Sequence, residues 1–248
     1  MNDHDLKELL AIRRKDNLPG DKVVRLLLKK ELNAVNQPIE DHAVRWSADA
    51  WIGAEPWSKD TRGRLKDLRD HLERDGSGRM ISRADVFDRR GDPLDLFLAA
   101  MAWGFGDRGY GWYRTATVIN TAGEARVARA VETLQRAAEE GGSAGTWKAW
   151  SRGGVAKLPG LGTAFASKVA YFACFDRTTG RGPLIADINT AWAFWALHGC
   201  WDSRSSAARY AAYVEWAQNE ADGLECRPDD IERALFMIGP AVYREWKR

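Results

Sequence analysis

Lys157-Leu158-Pro159-Gly160-Leu161-Gly162-Thr163 runs directly into the apolar stretch 164–175, and this junction decides the fold. Two glycines one residue apart let a backbone turn through positive φ, and Thr163 is the expected cap of the helix that follows. Such a turn leaves free amides beside a helix N-terminus, where dipole and N–H groups together favour an anion such as a phosphate. Contacts of that kind hold a nucleic-acid backbone without reading its sequence. The same letters also suit an ordinary turn between two helices.

Working outward, the periodicity is helical nearly everywhere. Upstream, Arg126 to Glu140 reads as an amphipathic helix closed by Gly141-Gly142. Asp92-Pro93 supplies a cap and a first helical residue for the apolar run Leu94 to Trp103, which Gly104 and Gly106 end. Earlier still, Leu65, Leu68 and Leu72 recur at helical spacing, and Asp21 precedes a segment crowded with valine and leucine. Downstream, helices are predicted over 163–175, 189–198, 206–220 and 229–238. Strand patterns are hard to find. The expectation is an all-α protein of nine or ten helices. Residues 1–90, richer in charge and turn signals, form a helical region packed on a core spanning 91–248, with the hairpin at about 144–175.

Composition narrows the classes. The chain has 248 residues, 45% apolar, with 37 Lys+Arg against 35 Asp+Glu. That excludes overall disorder, which needs less apolar content and a larger net charge. No apolar run is long enough for a membrane-spanning helix, and Met1-Asn2-Asp3-His4-Asp5 is unlike a signal peptide. Cys174, Cys200 and Cys226 are odd in number and lack C-x-x-C spacing, which argues against a disulfide framework and against zinc or iron–sulfur ligation. The expectation is an intracellular, cytoplasmic protein. Charge is uneven, however: residues 141–182 hold Lys148, Arg152, Lys157, Lys168, Arg177 and Arg181 against Asp176 alone. A basic patch on a near-neutral chain fits a local anionic partner, or simply a solvated face.

L-P-G-L-G-T at a helix start resembles the hairpin of helix-hairpin-helix DNA-binding units. Asp187, 25 residues past Gly162, stands in Pro183-Leu184-Ile185-Ala186-Asp187-Ile188-Asn189, which opens another apolar helix. Hairpin, helix, Gly/Pro-rich loop and an acid at a helix start resemble the helix-hairpin-helix DNA glycosylase superfamily, nearest the 8-oxoguanine glycosylase (OGG-like) fold. The specific likeness covers about 144–197. It implies two helical subdomains with the active site in the cleft between them, and an essential acid at Asp187. A carboxylate there stabilises positive charge developing on deoxyribose C1′, as carboxylates do in glycoside hydrolysis.

The lysine departs from the pattern. Lysine-using members carry the amine two residues past the second hairpin glycine, which is Ala164 here. Lys168 stands one turn later on the same face, similar to archaeal 8-oxoguanine glycosylases, whose Schiff-base lysine also sits further along. It is either a nucleophile or a lysine snorkelling at the edge, in which case Asp187 activates water. The resemblance further implies phosphate-backbone contacts by Lys157, Pro159, Gly160, Gly162, Thr163 and Asn189. It also implies a base pocket using Glu232 and Phe236, at i and i+4. Trp103, Tyr110 and Trp112 are candidates for stacking on the base or wedging the duplex. Gly153-Gly154 lies where the first hairpin helix usually runs, so that helix is expected to be short or displaced.

The implied function is a DNA glycosylase acting on double-stranded DNA that contains a modified base. It flips that base out and cleaves its N-glycosidic bond, with or without AP-lyase activity. Its target is 8-oxoguanine in repair, or a hypermodified phage base in antiviral defence. The alternative is a non-catalytic helix-hairpin-helix DNA-binding module, which would need neither Asp187 nor Lys168. No cofactor and no metal are expected, and the protein is expected to act as a monomer away from membranes.

Overall fold

A computed structural model describes residues 3–35, 37–74, 79–200 and 202–248. The helices are α1 (Asp3–Arg13), α2 (Asp21–Val35), α3 (Ala48–Gly53), α4 (Lys59–Arg74), α5 (Arg83–Phe87), α6 (Pro93–Phe105), α7 (Gly111–Ala122), α8 (Glu124–Trp150), α9 (Thr163–Cys174), α10 (Ile188–His198), α11 (Ala207–Leu224) and α12 (Pro228–Trp246). The all-α class is as the sequence predicts, with more helices than expected. Two three-residue strands, β1 (Ala43–Arg45) and β2 (Met80–Ser82), pair antiparallel. They are too short to show alternation, which is why the sequence pattern misses them.

The packing sorts into two groups. Helices α6, α8 and α9 pack on one another, α12 packs on α10 and α11 with α1 and α2 against it, and α11 also packs on α8 and so joins the two groups. One apolar core runs through both groups, from Leu28 and Leu65 to Phe172, Phe194 and Ile238. The chain crosses from the first group to the second through the loop between α9 and α10. Among the described residues no helix is long and apolar enough to cross a membrane. Cys174, Cys200 and Cys226 are free thiols.

The boundaries follow local chemistry. Asp92 caps α6 by accepting from the amides of Leu94 (2.9 Å) and Asp95 (3.1 Å), with Pro93 at the first helical position. Gly106, at φ 59°, ends it. Gly142 (φ 55°, ψ −147°) breaks α8 where the sequence predicts a stop, but the chain resumes its helix as far as Trp150. Two hairpin expectations are corrected. Only Gly160 has a positive φ (77°), because Gly162 is extended at φ −76° and is itself the cap. Thr163 is therefore the first helical residue and makes no side-chain capping bond.

Candidate active site

The loop from Pro183 to Asp187 is buried and extended, so each of its carbonyls needs a partner. Tyr210 donates to Leu184 O (2.6 Å) and Tyr213 to Ile185 O (2.9 Å), both from α11. Ser167 of α9 accepts from the Ala186 amide at 3.0 Å. These bonds fix the loop against α9 at the residue next to Lys168. They also bring the start of α10 beside that helix.

Asp187 is the cap of α10. Its Oδ1 accepts from the amides of Asn189 (2.9 Å) and Thr190 (3.1 Å), while Thr190 Oγ1 accepts from the Asp187 amide (2.9 Å). This leaves Oδ2 to face Lys168, whose Nζ lies 3.4 Å away. Both side chains are about nine-tenths buried. Lys168 Nζ also sits 5.5 Å from the centre of the Phe165 ring. The helix α12 approaches closely because position 239 is glycine: a Cβ there would fall 2.1 Å from Asn189 O. Glu232, two turns earlier on α12, is thereby placed in the same wall.

A cavity of about 320 Å³ opens between α6, α9, the start of α10 and α12. Its lining includes Trp103, Lys168, Asp187, Asn189, Glu232 and Phe236, six of the residues singled out in the sequence. Trp112 is not among them; it packs partly buried on the core, edge-on to Tyr113. Trp103 is 6% exposed and donates through Nε1 to His42 O (3.2 Å), so it shapes the wall rather than reaching out as a wedge. Tyr110, by contrast, is 52% exposed. The hairpin lies outside the cavity, with Pro159, Gly160 and Gly162 exposed. Lys157 Nζ turns back to donate to Leu161 O (2.7 Å), bracing the hairpin from within.

Four basic side chains of the cavity lining escaped sequence reasoning: His42, Arg83, Arg108 and Arg204. The β1–β2 pair brings the first two together, since the Arg83 amide donates to His42 O at 3.1 Å. Arg83 Nη2 donates to Glu232 Oε2 at 2.7 Å, and the pair is 1% and 2% exposed. The guanidinium lies 5.1 Å from the ring centres of both Trp103 and Tyr171. Burial pushes the Glu232 carboxyl up to about 7, against the opposing pull of Arg83. Burial, with the charges of Arg83 and Arg233, pushes His42 down to about 3 and keeps its imidazole neutral. Arg108 and Arg204 also line the cavity, adding positive charge beside the acids.

A lysine amine and a carboxylate facing each other in a pocket of this size define a site for covalent or acid–base work on a small cyclic group. Residues 37–236 match the family model described as "Putative 8-oxoguanine DNA glycosylase OGG-like protein". The match takes in most of the chain and the whole of this site, and the chain belongs to that family of OGG-like DNA glycosylases. It is accordingly an enzyme of the DNA glycosylase class, with DNA as the molecule it acts on. No curated protein and no solved structure matches the chain.

Proposed function

We propose that the protein excises an oxidised purine of the 8-oxoguanine type from double-stranded DNA, with Lys168 as nucleophile and Asp187 as its acid–base and electrostatic partner. The observation that carries this is the 3.4 Å approach of Lys168 Nζ to Asp187 Oδ2 inside the cavity. An extruded nucleotide would enter from the face bearing Arg108 and Arg204, with Phe236 beside the base. After the Lys168 ammonium gives one proton to solvent, its amine attacks C1′ as the bond from C1′ to the base nitrogen breaks, and the base leaves with that electron pair and then takes a proton. Asp187 stabilises the positive charge developing at C1′ and receives the proton released by the attacking nitrogen. Opening of the sugar ring moves the nitrogen lone pair into a C1′=N imine, while O4′ leaves C1′ with the bonding pair and is protonated.

A cavity near the lower end of the ~300–1,000 Å³ range of small-ligand sites suits a single base better than a glucosylated one. Phage-base removal is therefore the less favoured target. We place the activity in the cytoplasm and assign it to a monomer. The test uses duplexes carrying individual modified bases, with strands compared before and after alkali. Release of 8-oxoguanine with direct nicking supports the proposal. Alkali-labile sites without nicking would make the enzyme monofunctional and remove Lys168 from the covalent step. Release of no base from any duplex would sink the assignment of base excision to Lys168 and Asp187.

A further inference from the structure

Two buried polar groups in the cavity wall are unfinished. Arg83 spends one nitrogen on Glu232, but its Nε and Nη1 have no hydrogen-bond partner among the described residues, and neither has Nδ1 of His42. Leaving a buried donor unpaired costs stability, more so when it is charged, and such groups are usually paired in native interiors. Arg83 is 1% exposed, its position set by a cap: Ser82 Oγ accepts from the Asp85 amide, which starts α5 at Arg83. Both Arg83 and His42 line the cavity that holds Lys168 and Asp187. The guanidinium is thus built into the cavity wall beside Tyr171, with donors left for an acceptor that reaches it.

The geometry points to Arg83 as a specificity-determining residue: it donates to the C6 carbonyl oxygen of the extruded purine, while Glu232 beside it accepts from the adjacent N1–H. The inference rests on the reading of this cavity as the base site. A guanidinium next to a carboxylate presents donor and acceptor side by side. It therefore complements a lactam edge, C=O beside N–H, and mismatches an edge whose ring nitrogen carries no hydrogen. Bidentate pairing to guanine edges by arginine follows the same logic in duplex recognition. Trp103 and Tyr171, on which the guanidinium lies, hold it in plane and limit its swing. Arg83 touches the base and not the reacting carbon, so it selects the substrate rather than performing the chemistry.

The test measures equilibrium binding to the full-length protein of two bases without a glycosidic bond, 9-methyl-8-oxoguanine and 9-methyl-8-oxo-2-aminopurine. They differ only at C6 and N1: the first carries the C6=O/N1–H edge and the second does not, while both keep C8=O and N7–H. Wild type should bind the first at least about tenfold tighter, the size expected for a good paired contact. Arg83→Met should bring the two within about threefold, and Arg83→Lys should fall between. Should Arg83→Met fail to fold with Glu232 left alone, Arg83→Met/Glu232→Gln keeps the pair neutral and is compared with Glu232→Gln alone: the preference that Glu232→Gln retains should be lost in the double variant. Equal binding of the two bases by wild type overturns the inference, as does binding of neither base or a preference that survives Arg83→Met. Because no bond is cleaved, the result is separate from the excision assay: a lactam preference without excision would contradict the proposed function and leave Arg83's role standing.

Discussion

Lys168 and Asp187 are 19 residues apart in the chain, yet Nζ and Oδ2 meet at 3.4 Å because Asp187 divides its carboxylate between two tasks. One oxygen caps α10 and the other faces the amine. Structural and chemical roles therefore reside in different atoms of one side chain, and substitutions can separate them.

Asp187→Asn keeps a good capping residue and removes the charge. Base release should fall at least about a hundredfold in kcat with DNA affinity nearly unchanged, since the lost contribution is transition-state stabilisation, while Tm should fall because the buried Lys168 loses its charge partner. Asp187→Ala should lose activity as well and, in addition, about 1 kcal/mol of stability with the cap. Excision by Asp187→Asn close to wild type would show that this carboxylate serves only the helix.

Gly104 matters for what it lacks. A Cβ there would stand 2.8 Å from Phe165 Cε1 and 3.0 Å from Lys168 Cδ. Helix propensity favours alanine over glycine by about 1 kcal/mol, so Gly104→Ala need not lower Tm much. Because it pushes on the lysine stem, kcat should drop about tenfold or more. Unchanged kcat would mean that Lys168 has room to spare.

Much of this site was legible in the sequence. Asp187 at a helix start, Lys168 on an apolar helix and the Glu232/Phe236 pair all carry local signals, and all four reach the cavity. Arg83 and His42 had no such signal. They are joined by a sheet of three-residue strands and by a pairing 149 residues apart, Arg83 to Glu232, which no local pattern encodes. Trp112 illustrates the opposite failure: an aromatic near a glycine-rich turn looks available, but tertiary packing claimed it for the core. Thr163 lost its expected role because the extended backbone of Gly162 already ends the turn.

Glu232 should leave a mark on stability against pH. Its carboxyl, raised from the ordinary 4.5 to about 7, holds its proton more tightly folded than unfolded. Its contribution is fully present below about pH 4.5 and is lost as pH rises through about 7. Urea unfolding of wild type and Glu232→Gln at intervals across that window isolates the group: wild type should lose stability relative to the variant as pH rises. Parallel profiles would show that Arg83 holds the carboxylate ionised throughout.

Binding to undamaged duplex should be weak and fall steeply with salt. Arg108→Glu and Arg152→Glu should each weaken it about equally for all sequences and lower the salt slope by about one ion or more. Lys157→Glu acts differently, since Lys157 braces the hairpin through Leu161 O. It should disturb the turn as well as the charge. Sequence-selective losses, or a salt-independent affinity, would contradict backbone anchoring.

The central claim is that Lys168 forms the covalent intermediate, and borohydride tests it most directly. The protein is incubated with duplex containing 8-oxoguanine, reduced, and run on a denaturing gel, with base release measured in parallel. Wild type should give a protein–DNA adduct whose modified peptide contains Lys168, and Lys168→Gln should give none. Wild type that releases the base at full rate yet never crosslinks would contradict the account and make water the nucleophile.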